Sequence, residues 1–377
     1  MKIIIDDKIP YIKGILEPFA EVIYLPGNKT TAEVVKDADA LITRTRTICN
    51  EKLLAGSSVK LIASATIGYD HIDTNYCEKA GIAWTNAPGC NSNSVEQYIA
   101  SALMVMADKK GFNLSDQTIG IVGVGNVGSK VAAISEIFGM KVLLNDPPRA
   151  RKEGNGEFVE LAEILEKADI ISMHVPLNMD GIDKTFHLAD NTFFAKAKRK
   201  PVFINSCRGE VGVKDALKTA IKSLQVSGAV VDCWVNEPNI DTGMLSLIDL
   251  GTPHIAGYSK DGKAKGTSMS VQAVSRFFGL GIDDWKCSNI EMPVGSTVIE
   301  IDGQNKTVQQ ILSEAILATY DIRKDDQALR ADVESFEKLR GDYPVRREFP
   351  VYVINAINLD HRIVEKLRTI GFKVNVG

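Results

Sequence analysis

"TIGIVGVGNVGSKVAAISEIFGMKVLLND", residues 118–146, decides the fold. A strand-length apolar run, TIGIV, leads into GVGNVG at 123–128, then a helical pattern, then a second β-rich run, KVLLND. A GxGxxG pattern alone is weak. Set between a strand and a helix, with an acid closing the next strand, it is the fingerprint of a dinucleotide-binding βαβ unit. Gly123 permits the tight turn, Gly125 lets the backbone approach a pyrophosphate, and Gly128 lets the helix lie close on the strand. Free N–H groups and the positive end of the helix dipole then favour phosphate. Asp146 offers its carboxylate to ribose hydroxyls and repels a 2′-phosphate, which selects NAD over NADP. Arg149 and Arg151 keep the alternative open, since an arginine neutralises such a phosphate.

Outward from this unit, strand-like runs continue toward both ends. KIIIDD, AEVIYLP, DALITRTRT, VKLIASATIG and GIAWTNAP precede it, and ADIISMHVP, PVFINSC and VSGAVVDCW follow it. Their alternation with helical patterns argues for parallel sheets covered by helices. Long helices are expected from Asn93 and after Ser259. The expectation is an α/β chain with two Rossmann-like, doubly wound parallel-sheet domains and a small C-terminal α/β domain. Residues 1–92 and 258–281 form a substrate-binding domain, 93–257 the NAD-binding domain and 282–377 the tail. The first two would close around the cofactor.

Composition excludes several function classes. The 377 residues are 45% hydrophobic and 24% charged, and the net charge of −4 offers no basic field for nucleic acid or an anionic membrane. No run approaches a membrane span, and the N-terminus lacks a signal peptide, so a soluble cytoplasmic protein is expected. Six scattered cysteines show no metal-ligand or disulfide spacing.

Three segments place chemistry at strand ends. INSCRGE puts Arg208 past one strand, DCWVNEP puts Glu237 in the loop past the next, and TPHIAG puts His254 past the last. Loops at the carboxyl ends of a parallel sheet form the ligand crevice. Taken singly, His254 reads as an ordinary core residue, Arg208 as a surface charge and Glu237 as a turn acid. Jointly they suit hydride transfer to or from a 2-hydroxy acid. His254 would take the hydroxyl proton, Glu237 would hold the far imidazole nitrogen, and Arg208 would grip a carboxylate.

These segments, GVGNVG…ND, NSCRG, DCWVNEP and TPHIAG, resemble in order and interval the D-isomer-specific 2-hydroxyacid dehydrogenase family over residues 1–281. The resemblance implies catalytic roles for Arg208, Glu237 and His254. It also implies NAD contacts from Asn126, Val127, Asp146, Val175, Ser206, Cys207, Arg208, Asp232 and Gly257, beside the three glycines. Cys207 is expected to fill space rather than act as a nucleophile. His71, His174 and His187 are expected to be structural.

The substrate end is read from ITRTRT. As a strand it would set Arg44 and Arg46 on one face, suited to phosphate; the alternative is a solvated basic edge. Thr66, Tyr258 and the lysines at 260, 263 and 265 add polar and positive groups, favouring a phosphorylated hydroxy acid. Within the family, PGCN at 88–91, KTFHLAD, TPHIAGYSKDGKAKGT and the tail's RRE resemble a branch acting on a phosphorylated acid. That implies substrate contacts at Thr45, Thr66 and Tyr258 and a homodimer formed through the tail. Arg346 and Arg347 are expected to reach a partner's site. Competing readings are a dehydrogenase of 3-phosphoglycerate and a NAD-sensing protein on the same fold. No metal is expected.

Overall fold

The computed structural model describes residues 1–154 and 156–376. The chain divides into two compact units, Met1–Asn91 with Tyr258–Met292, and Ser92–Gly257 with Pro293–Gly377. Residues 282–292 thus fall with the first unit, and the tail from 293 falls with the second.

In the first unit, β1 (Lys2–Asp6), β2 (Glu21–Leu25), β3 (Ala40–Thr43), β4 (Leu61–Ser64) and β5 (Ala83–Thr85) form a parallel sheet ordered β2-β1-β3-β4-β5. The triplet Ile3–Ile5 has no polar alternation because both faces of β1 are covered. Ile4 packs with Leu41, Ile62 and Leu54 on one side. Ile3 and Ile5 pack with Ile42, Val271 and Val274 on the other, the valines coming from the returning helix Lys260–Phe278. Ser259 starts that helix by accepting the Gly262 N–H, and Gly279 stops it in the left-handed conformation.

The expected strand over ITRTRT ends at Thr43. Residues 44–46 turn away, leaving Arg44 half-buried and Thr45 and Arg46 exposed, so the shared-face argument fails. Strand alternation holds only as far as ladder pairing, which stops at Thr43. The arginines instead sit at the carboxyl end of β3, beside the point where the strand order reverses between β1 and β3.

In the second unit, β6 (Thr118–Val122), β7 (Lys141–Asn145), β8 (Ile170–Met173), β9 (Val202–Asn205), β10 (Gly228–Val231) and β11 (Leu250–Gly251) form a parallel sheet ordered β11-β10-β9-β8-β6-β7. Here the order reverses between β6 and β8, next to the glycine loop. Helix Ser92–Lys110 starts one residue earlier than expected and is buried along most of its length.

The tail adds a three-stranded parallel sheet, β12 (Val298–Asp302), β13 (Val353–Ile357) and β14 (Lys373–Val376). Sequence reading found β13 and β14 but not β12, whose VIEID carries acids on its open face. Tail helices Val308–Thr319 and Ile322–Ala331 are bonded into the unit. Gln97 Nε2 donates to Thr319 Oγ1 at 3.1 Å, and the Gly251 N–H donates to Asp326 at 2.7 Å. Among the described residues, no helix is long and apolar enough to cross a membrane.

Candidate active site

The glycine loop follows β6. Gly123 adopts φ +90°, and a Cβ there would lie 2.7 Å from the His174 carbonyl. A Cβ on Gly128 would lie 1.9 Å from the Gly123 oxygen, so a side chain at either position forces the turn apart. Gly125 differs: its Cβ would meet nothing within 4 Å, and it and Asn126 are exposed. Helix Gly128–Ile137 begins without a side-chain cap. An open glycine before an uncapped helix start fits a pyrophosphate.

Asp146 accepts the Val124 N–H at 2.8 Å and the Arg149 N–H at 3.0 Å, which locks the loop to the end of β7. Arg149 pairs with Glu153 at 2.7 Å and donates to the Val124 carbonyl, while Arg151 pairs with Asp183. Both guanidinium groups are thus engaged by acids.

Past β9, Asn205 fastens the turn that carries Ser206, Cys207 and Arg208. Its Nδ2 donates to the Arg208 carbonyl at 2.9 Å and its Oδ1 accepts the Cys207 N–H at 3.1 Å. Ser206 Oγ is buried with no hydrogen-bond partner among the described residues. A buried hydroxyl lacking a partner costs free energy unless a ligand satisfies it, so Ser206 fits a cofactor contact. Burial pushes the Cys207 thiol up to about 11, which keeps it protonated and a poor nucleophile. Gly209 brings this turn against the next loop, since a Cβ there would lie 2.1 Å from the Trp234 carbonyl carbon.

Glu237 and His254 meet as expected. Glu237 Oε2 accepts from His254 Nδ1 at 2.7 Å, and Oε1 accepts the Trp234 N–H at 2.8 Å. Burial pushes the Glu237 carboxyl up, but the hydrogen bond and charge of His254, the Trp234 amide and Arg340 outweigh it and hold it below the usual range. An ionised carboxylate only accepts, so the proton shared with the ring sits on Nδ1. His254 Nε2 then carries the lone pair that can take a substrate proton. His254 itself has φ +55°.

Asp232, expected as a cofactor contact, is 1% exposed. Its carboxylate accepts from Thr252 Oγ1 at 2.6 Å and from the N–H groups of Ile255 and Ala256 at 2.8 and 3.0 Å. It holds the histidine loop. Val175 and Gly257 are partly exposed, in the loops after β8 and β11. His174 bonds Ser172 Oγ at 2.8 Å, and burial pushes it down to about 3.

In the first unit, Thr66 follows β4 and bonds Ser64 Oγ at 2.8 Å, and the Ser64 hydroxyl also meets His71. The expected lysine-rich surface is partly neutralised: Lys260 pairs with Glu291, and Lys263 lies over the Tyr258 ring at 4.4 Å. Arg346 is not available to a partner subunit. It is 4% exposed and bound to carbonyls of its own unit. Nothing local in the sequence signals that burial.

Residues 92–256 match the family described as D-isomer specific 2-hydroxyacid dehydrogenase, NAD binding domain, and residues 294–371 match a domain of unknown function, DUF3410. An erythronate-4-phosphate dehydrogenase of Bacteroides thetaiotaomicron is 52% identical, covering 95% of this chain and 100% of the relative. Among solved structures, D-lactate dehydrogenase from Aquifex aeolicus, complexed with NAD and lactic acid, is 26% identical with a TM-score of 0.62, covering 75% of this chain and 97% of that one. NAD-bound 3-phosphoglycerate dehydrogenase of Entamoeba histolytica is 25% identical with a TM-score of 0.63, covering 77% and 99%. The fingerprint, the strand-end loops and these likenesses agree, and the chain belongs to the erythronate-4-phosphate dehydrogenases, a family of NAD-dependent D-isomer-specific 2-hydroxyacid dehydrogenases.

Proposed function

We propose that this dehydrogenase oxidises 4-phospho-D-erythronate to 2-oxo-3-hydroxy-4-phosphobutanoate, a step of pyridoxal phosphate biosynthesis in the cytoplasm. The observation that carries the chemistry is the 2.7 Å bond from His254 Nδ1 to Glu237, which leaves Nε2 as the base. His254 Nε2 takes the C2 hydroxyl proton as the C–H bond of C2 breaks, and the ring becomes imidazolium. Glu237 stabilises that cation and fixes the ring plane. When bound, NAD supplies the acceptor for the hydride leaving C2. Gly123, Gly125, Asn126, Val127, Gly128, Asp146 and Ser206 are the residues this reading assigns to holding it, with Val175, Cys207 and Gly257 at its edges. Arg208 is assigned to the substrate carboxylate, where its planar fork matches two oxygens.

The phosphate is assigned to Arg44 and Arg46 in the first unit, with Thr45, Thr66 and Tyr258 as further substrate contacts. Residues 44–46 and Thr66 follow the carboxyl ends of the parallel strands β3 and β4, and Tyr258 precedes helix Lys260–Phe278, which supports that assignment. The homodimer is assigned to the tail. The open face of its sheet, where Val298 and Ile357 are 44% and 47% exposed, supports this reading. Sedimentation of a Val298→Lys/Ile357→Lys variant tests it, and an unchanged dimer refutes it.

Turnover of 4-phospho-D-erythronate, 3-phosphoglycerate and D-lactate with NAD, and a 2-keto acid to reoxidise retained NADH, tests the reaction. Turnover of the erythronate alone, lost in His254→Ala, is expected. Turnover of phosphoglycerate instead overturns the substrate assignment. NAD binding without turnover of any acid overturns the reading in favour of a sensor.

A further inference from the structure

The loop that carries His254 is held on its amide side by Asp232 and on its carbonyl side by a residue ninety positions away. Arg346 lies in the tail, between helix Phe336–Gly341 and β13. Its guanidinium donates to the carbonyls of Ala256 at 2.5 Å and Ile255 at 3.4 Å, the two residues after His254. It also donates to the Ser94 carbonyl at 3.0 Å, in the first turn of helix Ser92–Lys110. The N–H groups of the same Ile255 and Ala256 are the ones that Asp232 accepts. The Ile255–Ala256 peptide unit is thus held from both sides, its N–H by a buried acid and its carbonyl by a buried cation, and the peptide units before and after it are each held by one of the two.

The cation is kept in place by a dedicated surround. The Tyr320 ring lies 4.4 Å from the guanidinium carbon and the Tyr343 ring 6.0 Å from it. Both tyrosine hydroxyls donate to Asp325 Oδ2 at 2.8 Å. Burial alone would lower the Arg346 pKa, but Tyr343, Tyr320 and Asp325 outweigh it, so the guanidinium stays charged. Glu348, two residues on, accepts from Asn93 Nδ2 and Ser94 Oγ at 3.0 Å, tying the same stretch to the same helix start.

The loop needs such a hold. His254 has φ +55°, in the left-handed region that a residue with a large side chain adopts only when its surroundings fix it. Turning that one torsion back would swing the imidazole away from Glu237.

We infer that Arg346 is a positioning residue for hydride transfer: its buried guanidinium clamps the Ile255 and Ala256 carbonyls against Asp232 and so fixes the imidazole of His254 on Glu237. The tail is then part of the catalytic scaffold, whatever it contributes to dimerisation. The inference rests on His254 being the base of the proposed reaction.

Arg346→Met and Arg346→Lys test it, each checked by circular dichroism and melting. In Arg346→Met, kcat falls on the order of 100-fold, as for a catalytic group displaced by about 1 Å, with substrate KM and NADH affinity held within about threefold. Arg346→Lys keeps the charge but reaches fewer carbonyls, and recovers roughly tenfold of that loss. Amide exchange is read beside turnover because it needs no substrate. Peptides over 252–257 exchange at least about tenfold faster in Arg346→Met, while those over 118–145 are unchanged. Wild-type kcat in a folded Arg346→Met, or loop exchange equal to wild type, overturns the inference. If Arg346→Met does not fold, Arg346→Lys decides, and wild-type kcat and exchange there overturn it. Failure of the substrate assignment shows separately, as wild-type protein that does not turn over 4-phospho-D-erythronate but whose loop still loosens in the variants.

Discussion

Glu237→Gln isolates what the carboxylate does for the histidine. Both of its contacts are to donors, the His254 ring at 2.7 Å and the Trp234 amide at 2.8 Å. A glutamine of the same length brings one acceptor oxygen and one donor nitrogen, so one contact must fail. If the oxygen stays on the Trp234 amide, the NH2 faces Nδ1, and the ring must place its proton on Nε2. That tautomer cannot accept a proton from substrate. The charge loss acts as well. A carboxylate about 4 Å from an imidazolium is worth about 4 kcal/mol at the effective dielectric of a partly exposed pair, and the side chains here are 31% and 18% exposed. A charge-assisted hydrogen bond is worth roughly 1.5–3 kcal/mol, and the two overlap. A combined loss of about 3–4 kcal/mol lowers kcat by roughly 10²–10³. The substrate does not touch Glu237 in this reading, so KM moves less than about threefold. The assay is steady-state oxidation followed by NADH absorbance across pH 6–10. A variant retaining kcat within about threefold across that range would show that the carboxylate is a packing group, and would refute the reasoning.

The remaining predictions concern the cofactor cradle and a buried histidine. Gly125→Ala leaves the melting temperature unchanged, since its Cβ meets nothing, yet weakens NADH binding about tenfold or more in a fluorescence titration. Gly128→Ala, whose Cβ meets the Gly123 oxygen at 1.9 Å, lowers both, by about 1–3 kcal/mol in stability; equal behaviour of the two variants would be wrong for this loop. Ser206→Ala removes a buried hydroxyl with no partner among the described residues, so the cofactor-free protein should be as stable as wild type or more so, while NADH binds several-fold more weakly. His71 is held at about 4, chiefly by burial with Asp70 opposing. The unfolded chain takes up that proton near pH 6.5 and the folded chain only near 4. Stability is therefore full above pH 6.5 and falls by about 3 kcal/mol as pH drops toward 4. Urea unfolding at pH 7.5 and 4.5 checks this, and His71→Gln should flatten the difference.

What the sequence disclosed follows a physical division. The glycine loop was legible because turn, helix start and the acid closing the next strand fall within one βαβ unit, where spacing fixes geometry. The meeting of Glu237 and His254 was legible because each lies in a loop after an apolar strand, and parallel strands send their carboxyl ends to one side. The face shared by Arg44 and Arg46 was misread because period-two alternation holds only while ladder bonds last, and those end at Thr43. β12 was missed because half-exposed VIEID has too few apolar residues to stand out beside fully buried strands. Arg346 was misread as reaching out to a partner's site because nothing within ten residues shows that Tyr320 and Asp325 will enclose it.

The same division explains the histidine. A φ of +55° costs a residue with a Cβ roughly 1–2 kcal/mol, which TPHIAG cannot recover locally. Recovery comes from distance. Tyr98 meets the Thr252 hydroxyl at 2.8 Å, and that hydroxyl donates to Asp232; Asp232 takes the next two amides, and Arg346 the carbonyls. These residues lie as far apart as positions 98 and 346 and arrive by folding, not by spacing. The base we propose is therefore read from a hexapeptide. Its orientation belongs to the whole second unit, tail included, so substitutions far from position 254 can alter turnover while leaving every residue that touches substrate in place.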